Sequence, residues 1–347
     1  MIFVQPGDAT DPELPSGGNV FDRRISRELT ALGRTVREVA VPGSWPHPDA
    51  GARARLGREL AAAAPGTLVV LDGLVACGVP EIVVPHAARL RLMVLVHMPL
   101  GEETGADPAL DARERATLRA ARAVVTTSAR TAERLRRHHG LARVEVVVPG
   151  TDPAPLSSGD ELLCVGSLTP HKGQDVLVEA LAAVADLPWR CRLTGPVRRS
   201  PAFAARVRRS IDAHRLSGRV TITGPLTGPR LERAYARAGL LVLPSWSETY
   251  GMVMAEALAR GIPVLTSAPT EVLGEVRGEP GQLPGLVVPP GDASALAHAL
   301  RSWLTSPPLR QALRDAARSR RDTLPTWETA ARVMARILGE PEAGRVP

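Results

Sequence analysis

Short apolar runs alternate with longer stretches of helical period along most of this chain, and the alternation breaks once. Runs at 2–5, 36–41, 68–71, 92–97, 123–127 and 144–148 have strand length and are rich in aliphatic residues. Between the first two, Phe21, Ile25, Leu29 and Leu32 recur at helical spacing and predict one apolar helix stripe. The segment 149–160 is then rich in turn formers and poor in apolar residues, and reads as a linker. Beyond it the runs resume at 162–165, 191–194, 220–223, 240–243, 264–266 and 286–288. Strands alternating with helices build parallel sheets covered on both faces. The expected class is therefore α/β, with two Rossmann-like domains, 1–150 and 151–324, facing each other across a cleft. A length of 347 residues suits two domains at about 150 residues each. The last helical pattern, Trp327 to Leu338, follows Pro325 and no strand, so 325–347 is expected to return to the first domain.

Composition narrows the function. The net charge is +7, but the arginines are scattered and often stand beside Asp or Glu. A nucleic-acid surface gathers its basic residues on one face and adds aromatics to stack bases. Aromatics are only 3% of this chain, so no nucleic-acid partner is expected. Cys77, Cys164 and Cys191 form no Cys-x-x-Cys pair, which points to a reduced compartment and no zinc site. The start, Met1-Ile-Phe-Val-Gln-Pro-Gly7, lacks the basic region of a secretory signal, and no apolar run nears the ~20 residues of a membrane span. A cytoplasmic protein is expected. The basic stretch 130–139 marks a candidate peripheral contact with an anionic membrane surface, although a polybasic helix wants more apolar residues opposite.

One residue breaks the arginine bias. Of 43 basic residues only Lys172 is a lysine, in Cys164-Val-Gly-Ser-Leu-Thr-Pro-His-Lys-Gly173. A compact ammonium beside a glycine, between a strand and a helix, suits a phosphate held by a point charge; chance survival of a solvated lysine is the bland alternative. In open parallel sheets ligands bind beyond the carboxyl ends of the strands, at helix N-termini. Segments 166–173 and 245–251 both fall there. Gly251 would let backbone approach a phosphate closely. Glu248 sits in the loop, placed for sugar hydroxyls, unless it merely starts a helix. Glu256 lies within the second turn, among Met252, Met254, Ala255, Ala257 and Leu258, and an acid in so apolar a helix usually has a specific partner. No Asp-x-Asp follows a strand end, so no metal is expected at this site. His138 and His139 read as cations at a helix C-terminus, and Asp22-Arg-Arg24 as a solvated helix face.

These motifs resemble the retaining, nucleotide-sugar-dependent glycosyltransferases of family 4, which have the two-domain GT-B fold. The most specific match is Glu-x7-Glu, at Glu248 and Glu256, within Pro244-Ser-Trp-Ser-Glu-Thr-Tyr-Gly251 and Glu256-Ala-Leu-Ala-Arg-Gly-Ile-Pro-Val264. Gly166 to Lys172-Gly173 matches a phosphate-binding stretch, and Gly285-Leu-Val-Val-Pro-Pro-Gly-Asp292 a common structural segment. The resemblance implies a donor that is a nucleoside diphosphate sugar, a hexose by preference, and an acceptor that is a small molecule, glycan or lipid. No cofactor is implied.

It also implies roles residue by residue. Lys172 would neutralise the diphosphate with backbone groups around Gly251 and Met252. Glu248 would bind the transferred sugar and Glu256 the ribose, with Tyr250 in the same donor set. Leu226, in Gly224-Pro-Leu226, falls where the base is cradled. Gly17 and Gly18, in Pro15-Ser-Gly-Gly-Asn19, fall in the glycine-rich loop that closes over diphosphate and acceptor. His97 matches a histidine lining the reaction centre. Retention would follow a front-face course, with the leaving phosphate oxygen taking the acceptor's proton. Two departures stand out. Ser167 replaces an Arg that many members use to share the diphosphate charge, and the paired glycines usual before Glu271 are absent. The acceptor-facing loops, 42–48 and 100–111, match no readable pocket. A sugar-nucleotide epimerase, a phosphorylase of the same architecture and a non-catalytic sugar-nucleotide module remain the rival readings, and oligomeric state is open.

Overall fold

Strands buried on both faces need apolar side chains at every position, and the inner runs at 2–4, 68–71, 92–96 and 240–243 supply them, whereas the edge strand Val220–Gly224 is buried only at Val220. The computed structural model describes residues 1–8, 11–102, 107–274 and 283–339. The first half runs β1 (Ile2–Pro6), α1 (Gly17–Ala31), β2 (Arg37–Val41), α2 (Ala50–Ala62), β3 (Leu68–Asp72), α3 (Gly73–Cys77), α4 (Pro80–Val83), β4 (Arg91–Val96), α5 (Pro108–Ala120), β5 (Ala123–Thr126), α6 (Ala129–His139) and β6 (Glu145–Val146). The second runs β7 (Glu161–Val165), α7 (Gln174–Ala182), β8 (Cys191–Thr194), α8 (Pro201–Ala213), β9 (Val220–Gly224), α9 (Gly228–Ala236), β10 (Ala238–Leu243), α10 (Met252–Leu258), β11 (Val264–Thr266), β12 (Gly285–Val287), α11 (Ala293–Thr305) and α12 (Pro307–Arg321). Helix α13 (Trp327–Leu338) closes the described chain.

The chain divides into two compact units. One comprises 1–10, 17–150 and 325–347, the other 11–16 and 151–324. Each holds a six-stranded sheet whose pairs are all parallel. The first has the order β2-β1-β3-β4-β5-β6 and the second β12-β11-β10-β7-β8-β9. Each order reverses direction once, between β1 and β3 in the first sheet and between β7 and β10 in the second. Such switch points open a crevice at the carboxyl ends of the two strands.

Each unit has its own core. In the first, Val4, Val69, Leu71 and Val94 of the sheet pack with Leu56 and Leu60 of α2. In the second, Leu162, Leu193, Val242 and Leu265 pack with Leu177, Phe203 and Trp303. Helix α13 packs on α1, where Trp327 lies 5.9 Å from the Phe21 ring with the Arg24 guanidinium 5.2 Å from its own centroid. The α1 stripe holds for Phe21, Ile25 and Leu29, all fully buried; Leu32 lies one residue past the helix and is 42% exposed. The segment 100–111 is less loop than its composition implied. A 3-10 turn spans Leu100–Glu102 and Asp111 is already in α5, while 103–106 lie outside the described residues, as do 340–347.

Candidate active site

The two segments singled out in the second half emerge side by side, because β7 and β10 are neighbours at the switch point. Gly173 holds them together. Its φ of +65° belongs to the left-handed region, and a Cβ there would stand 2.2 Å from the Pro244 carbonyl oxygen. Further bonds tie the loops: Trp246 N–H donates to the His171 carbonyl at 2.9 Å, and His171 Nε2 lies 3.0 Å from the Ser247 carbonyl. Gln174 Nε2 donates to the Ser167 carbonyl at 3.0 Å.

Across this seam Lys172 Nζ donates to Glu248 Oε1 at 2.5 Å. The buried Ser245 hydroxyl donates to the same oxygen at 2.7 Å. The Lys172 and Glu248 side chains are 28% and 12% exposed, so the pair is sheltered yet reachable. Gly251, at φ +85°, turns the chain into α10, whose first N–H groups lack an intrahelical acceptor. Met252 is half-buried.

Glu256 faces a different partner. Tyr235 Oη donates to its Oε2 at 2.6 Å. Burial raises the Glu256 carboxyl above its ordinary range, against the pull of that hydrogen bond and of Arg260. Tyr250 is buried, its phenol pushed up by desolvation and its carbonyl accepting from Thr270 Oγ1 at 2.5 Å. Half-buried Leu226 follows the edge strand β9, two strands from β7. The three cysteines are free and buried, and desolvation pushes Cys164 up to about 12, so none offers a thiolate near neutral pH.

In the first unit the switch-point region carries a second constellation. His97 is the first residue past β4, and its Nε2 lies 2.7 Å from Asp22 Oδ1 and 3.6 Å from Asp72 Oδ2. Asp22 comes from α1 and is fully buried; Asp72 ends β3 and caps α3 by accepting from Leu74 N–H at 2.7 Å. Phe21 meets the imidazole edge-on at 5.4 Å. Gly18 is brought to the same place, since a Cβ there would stand 2.9 Å from His97 Cδ2, while Gly17 is exposed at the start of α1. Burial alone would lower the His97 imidazole; the Asp22 and Asp72 carboxylates together outweigh it, and the net shift is upward. Asp72 is raised to about 7 by burial and by the charge of Asp22.

Two expectations are corrected here. Asp22 is no solvated helix residue but the buried partner of His97. His139 is not simply a cation at a helix end either. It is buried with Nε2 at 3.1 Å from the buried Glu114, while exposed His138 pairs with Asp111. Asp22, Asp72 and His97 place three donor atoms within 4.8 Å of one another, as do Asp111, His138 and His139. Sequence reasoning also missed Ser245, Asp72 and Tyr235. Only Ser245 carried a local signal, standing three residues before Glu248 in the matched motif.

Comparison with known proteins bears on both halves. The family model described as Glycosyltransferase Family 4 matches residues 15–155, and that described as Glycosyl transferases group 1 matches residues 155–320. D-inositol 3-phosphate glycosyltransferase 1 of Catenulispora acidiphila is 30% identical over 292 residues, 77% of this chain and 68% of its own length. The chain belongs to glycosyltransferase family 4. Other relatives with the D-inositol 3-phosphate glycosyltransferase name are matched over about half their own length. Sucrose-phosphate synthase from Thermosynechococcus elongatus superposes with a TM-score of 0.79 at 21% identity, covering 97% of both chains. Anabaena HepE, solved with UDP-glucose, gives 0.76 at 17% identity over 97% of this chain and 98% of its own. The fold of this family 4 glycosyltransferase is GT-B. No helix among the described residues is long and apolar enough to cross a membrane.

Proposed function

We propose that this glycosyltransferase moves a hexose from a nucleoside diphosphate sugar to an acceptor hydroxyl, with retention and without a metal ion. The observation that carries the reading is the Lys172–Glu248 pair at the switch point of the second sheet. Departure of the nucleotide concentrates negative charge on its diphosphate, and stabilising that charge is the main catalytic demand. Lys172 meets it, assisted by the N–H groups of Gly251 and Met252 at the start of α10. Ser167 carries no charge, so the lysine bears most of the compensation. When the diphosphate takes the ammonium, the Ser245 hydroxyl keeps Glu248 in place to accept hydrogen bonds from the transferred sugar.

Glu256 binds the ribose diol in this reading, and Leu226 borders the base. His97, held by Asp22, lines the reaction centre, with Gly17 and Gly18 of the same unit in the donor set. The acceptor's proton passes to the departing phosphate oxygen on the face the sugar has left, which gives front-face retention. Uracil is favoured as the base by the likeness to HepE, solved with UDP-glucose, and a phosphorylated polyol as acceptor by the name of the curated relatives.

Incubation with radiolabelled UDP-glucose and other sugar nucleotides, against a panel of polyol phosphates, tests the reading. The expected product carries the label, and its anomeric coupling by proton NMR keeps the donor's configuration. Binding without turnover for every donor would favour a sugar-nucleotide-binding module instead, and an inverted product would remove the front-face course.

A further inference from the structure

We propose that Tyr235 is a positioning residue that sets the ribose selectivity of this enzyme by fixing one oxygen of Glu256. The inference rests on the assignment of Glu256 to the ribose and goes beyond it.

Tyr235 stands on α9 and is 1% exposed, with its Oη 2.6 Å from Glu256 Oε2 on α10. A hydrogen bond to a carboxylate from so buried a hydroxyl is short and directional. The phenol is itself clamped. Arg260, just past α10, lays its guanidinium 4.4 Å from the Tyr235 ring centroid. The same guanidinium donates to the Glu256 carbonyl at 2.7 Å and to both oxygens of Glu232 at 2.7 Å. One arginine thus ties together the ring of Tyr235, the backbone of Glu256 and a carboxylate on α9. Glu256 Oε1 has no protein donor among the described residues, so the carboxylate is anchored on one side and open on the other.

That asymmetry matters for a diol. A carboxylate accepts from two vicinal hydroxyls only when it is ionised and its plane is fixed, because both hydrogen bonds depend on one rotamer. Burial works against the ionised form of Glu256, and the Tyr235 hydroxyl works for it. Removing that hydroxyl leaves the ring, its packing and the Arg260 stacking in place, yet frees the carboxylate to rotate and to hold a proton. Ribose recognition should weaken while binding of the base and diphosphate persists.

Calorimetry with wild type, Tyr235→Phe and Glu256→Gln decides it. The probes are whichever of UDP, GDP and ADP binds wild type tightest, and its 2′,3′-dideoxy counterpart. Wild type should prefer the ribonucleotide by roughly tenfold or more, the effect expected of a single charge-assisted hydrogen bond. Glu256→Gln should abolish most of that preference. Tyr235→Phe should lose about half of it on a logarithmic scale, keep its affinity for the dideoxy probe, and lose the ribonucleotide at a higher pH than wild type as the solution is acidified. Full preference in Tyr235→Phe alongside its loss in Glu256→Gln would overturn the role of Tyr235 and spare that of Glu256. Preference intact in Glu256→Gln, or no binding of any nucleotide, would overturn the ribose assignment and this inference with it. Equal weakening of both probes in Tyr235→Phe would make the tyrosine merely structural and end the proposal.

Discussion

Glu248 Oε1 takes hydrogen bonds from both Lys172 and Ser245, so in the proposed reaction, where the lysine turns to a diphosphate, the serine hydroxyl is left to orient the glutamate. Ser245→Ala should lower the rate of sugar transfer several-fold while leaving nucleoside diphosphate affinity unchanged; a neutral hydrogen bond contributes about 0.5–1.5 kcal/mol. Steady-state kinetics beside calorimetry checks it, and loss of diphosphate binding would place Ser245 elsewhere. The buried Asp22–Asp72–His97 group gives a pH prediction. Burial raises the Asp72 carboxyl from its ordinary 3.8 to about 7, and His97 is raised too, so the folded chain holds protons that the unfolded chain releases. The stability that Asp72 contributes is therefore present at low pH and lost as pH rises from about 4 through 7, and that of His97 is lost only above its ordinary value of about 6.5. Each loss is at most about 1.4 kcal/mol per pH unit for each proton. Asp72→Asn keeps a cap for Leu74 and should flatten that slope in denaturant unfolding across pH 5 to 8. An unchanged slope would mean Asp72 is ionised in the fold. That Lys172 and Glu248 meet, and that Glu256 has a specific partner, was legible because motif spacing carries these residues. Asp22 was not, since Arg23 and Arg24 disguise it and only the packing of α1 under His97 reveals its burial.

The elements were the most legible part, because the inner strands of parallel sheets are apolar on both faces. Every predicted run became a strand, with no end shifted by more than two residues and the runs at 191–194 and 264–266 unshifted. The sixth shrank to Glu145–Val146, and His97 fell just beyond β4 rather than in it. What composition did not give was conformation at the loops. Gly173→Ala should destabilise the second unit by about 1–3 kcal/mol and displace Lys172, because its φ is positive and the Pro244 carbonyl leaves no room for a Cβ. Thermal unfolding with diphosphate titration checks both effects. The docking of α13 on α1 gives a second element-scale prediction. Trp327 is 5% exposed against Phe21 and Arg24, so Trp327→Ala should cost about 3–5 kcal/mol in denaturant unfolding. A loss below about 1 kcal/mol would show that α13 contributes little to the first unit.

At the scale of the molecule, two parallel sheets with one switch point each account for where the candidate residues gather: Lys172 and Glu248 in one unit, Asp22, Asp72 and His97 in the other. Fold class and family were readable from alternation and motifs. The acceptor was not, because the loops 42–48 and 100–111 carry no motif and the chemistry of a hydroxyl acceptor imposes no residue pattern. The proposed transfer depends most on one residue, Lys172, the sole lysine of the chain. Initial rates of sugar transfer at saturating donor, for wild type and Lys172→Ala, test it most directly. Lys172→Ala should be slower by roughly tenfold or more, since a charge-assisted hydrogen bond to the leaving diphosphate is worth about 1.5–3 kcal/mol, with an unfolding midpoint close to that of wild type. Equal rates would contradict the account and return Lys172 to an ordinary surface residue.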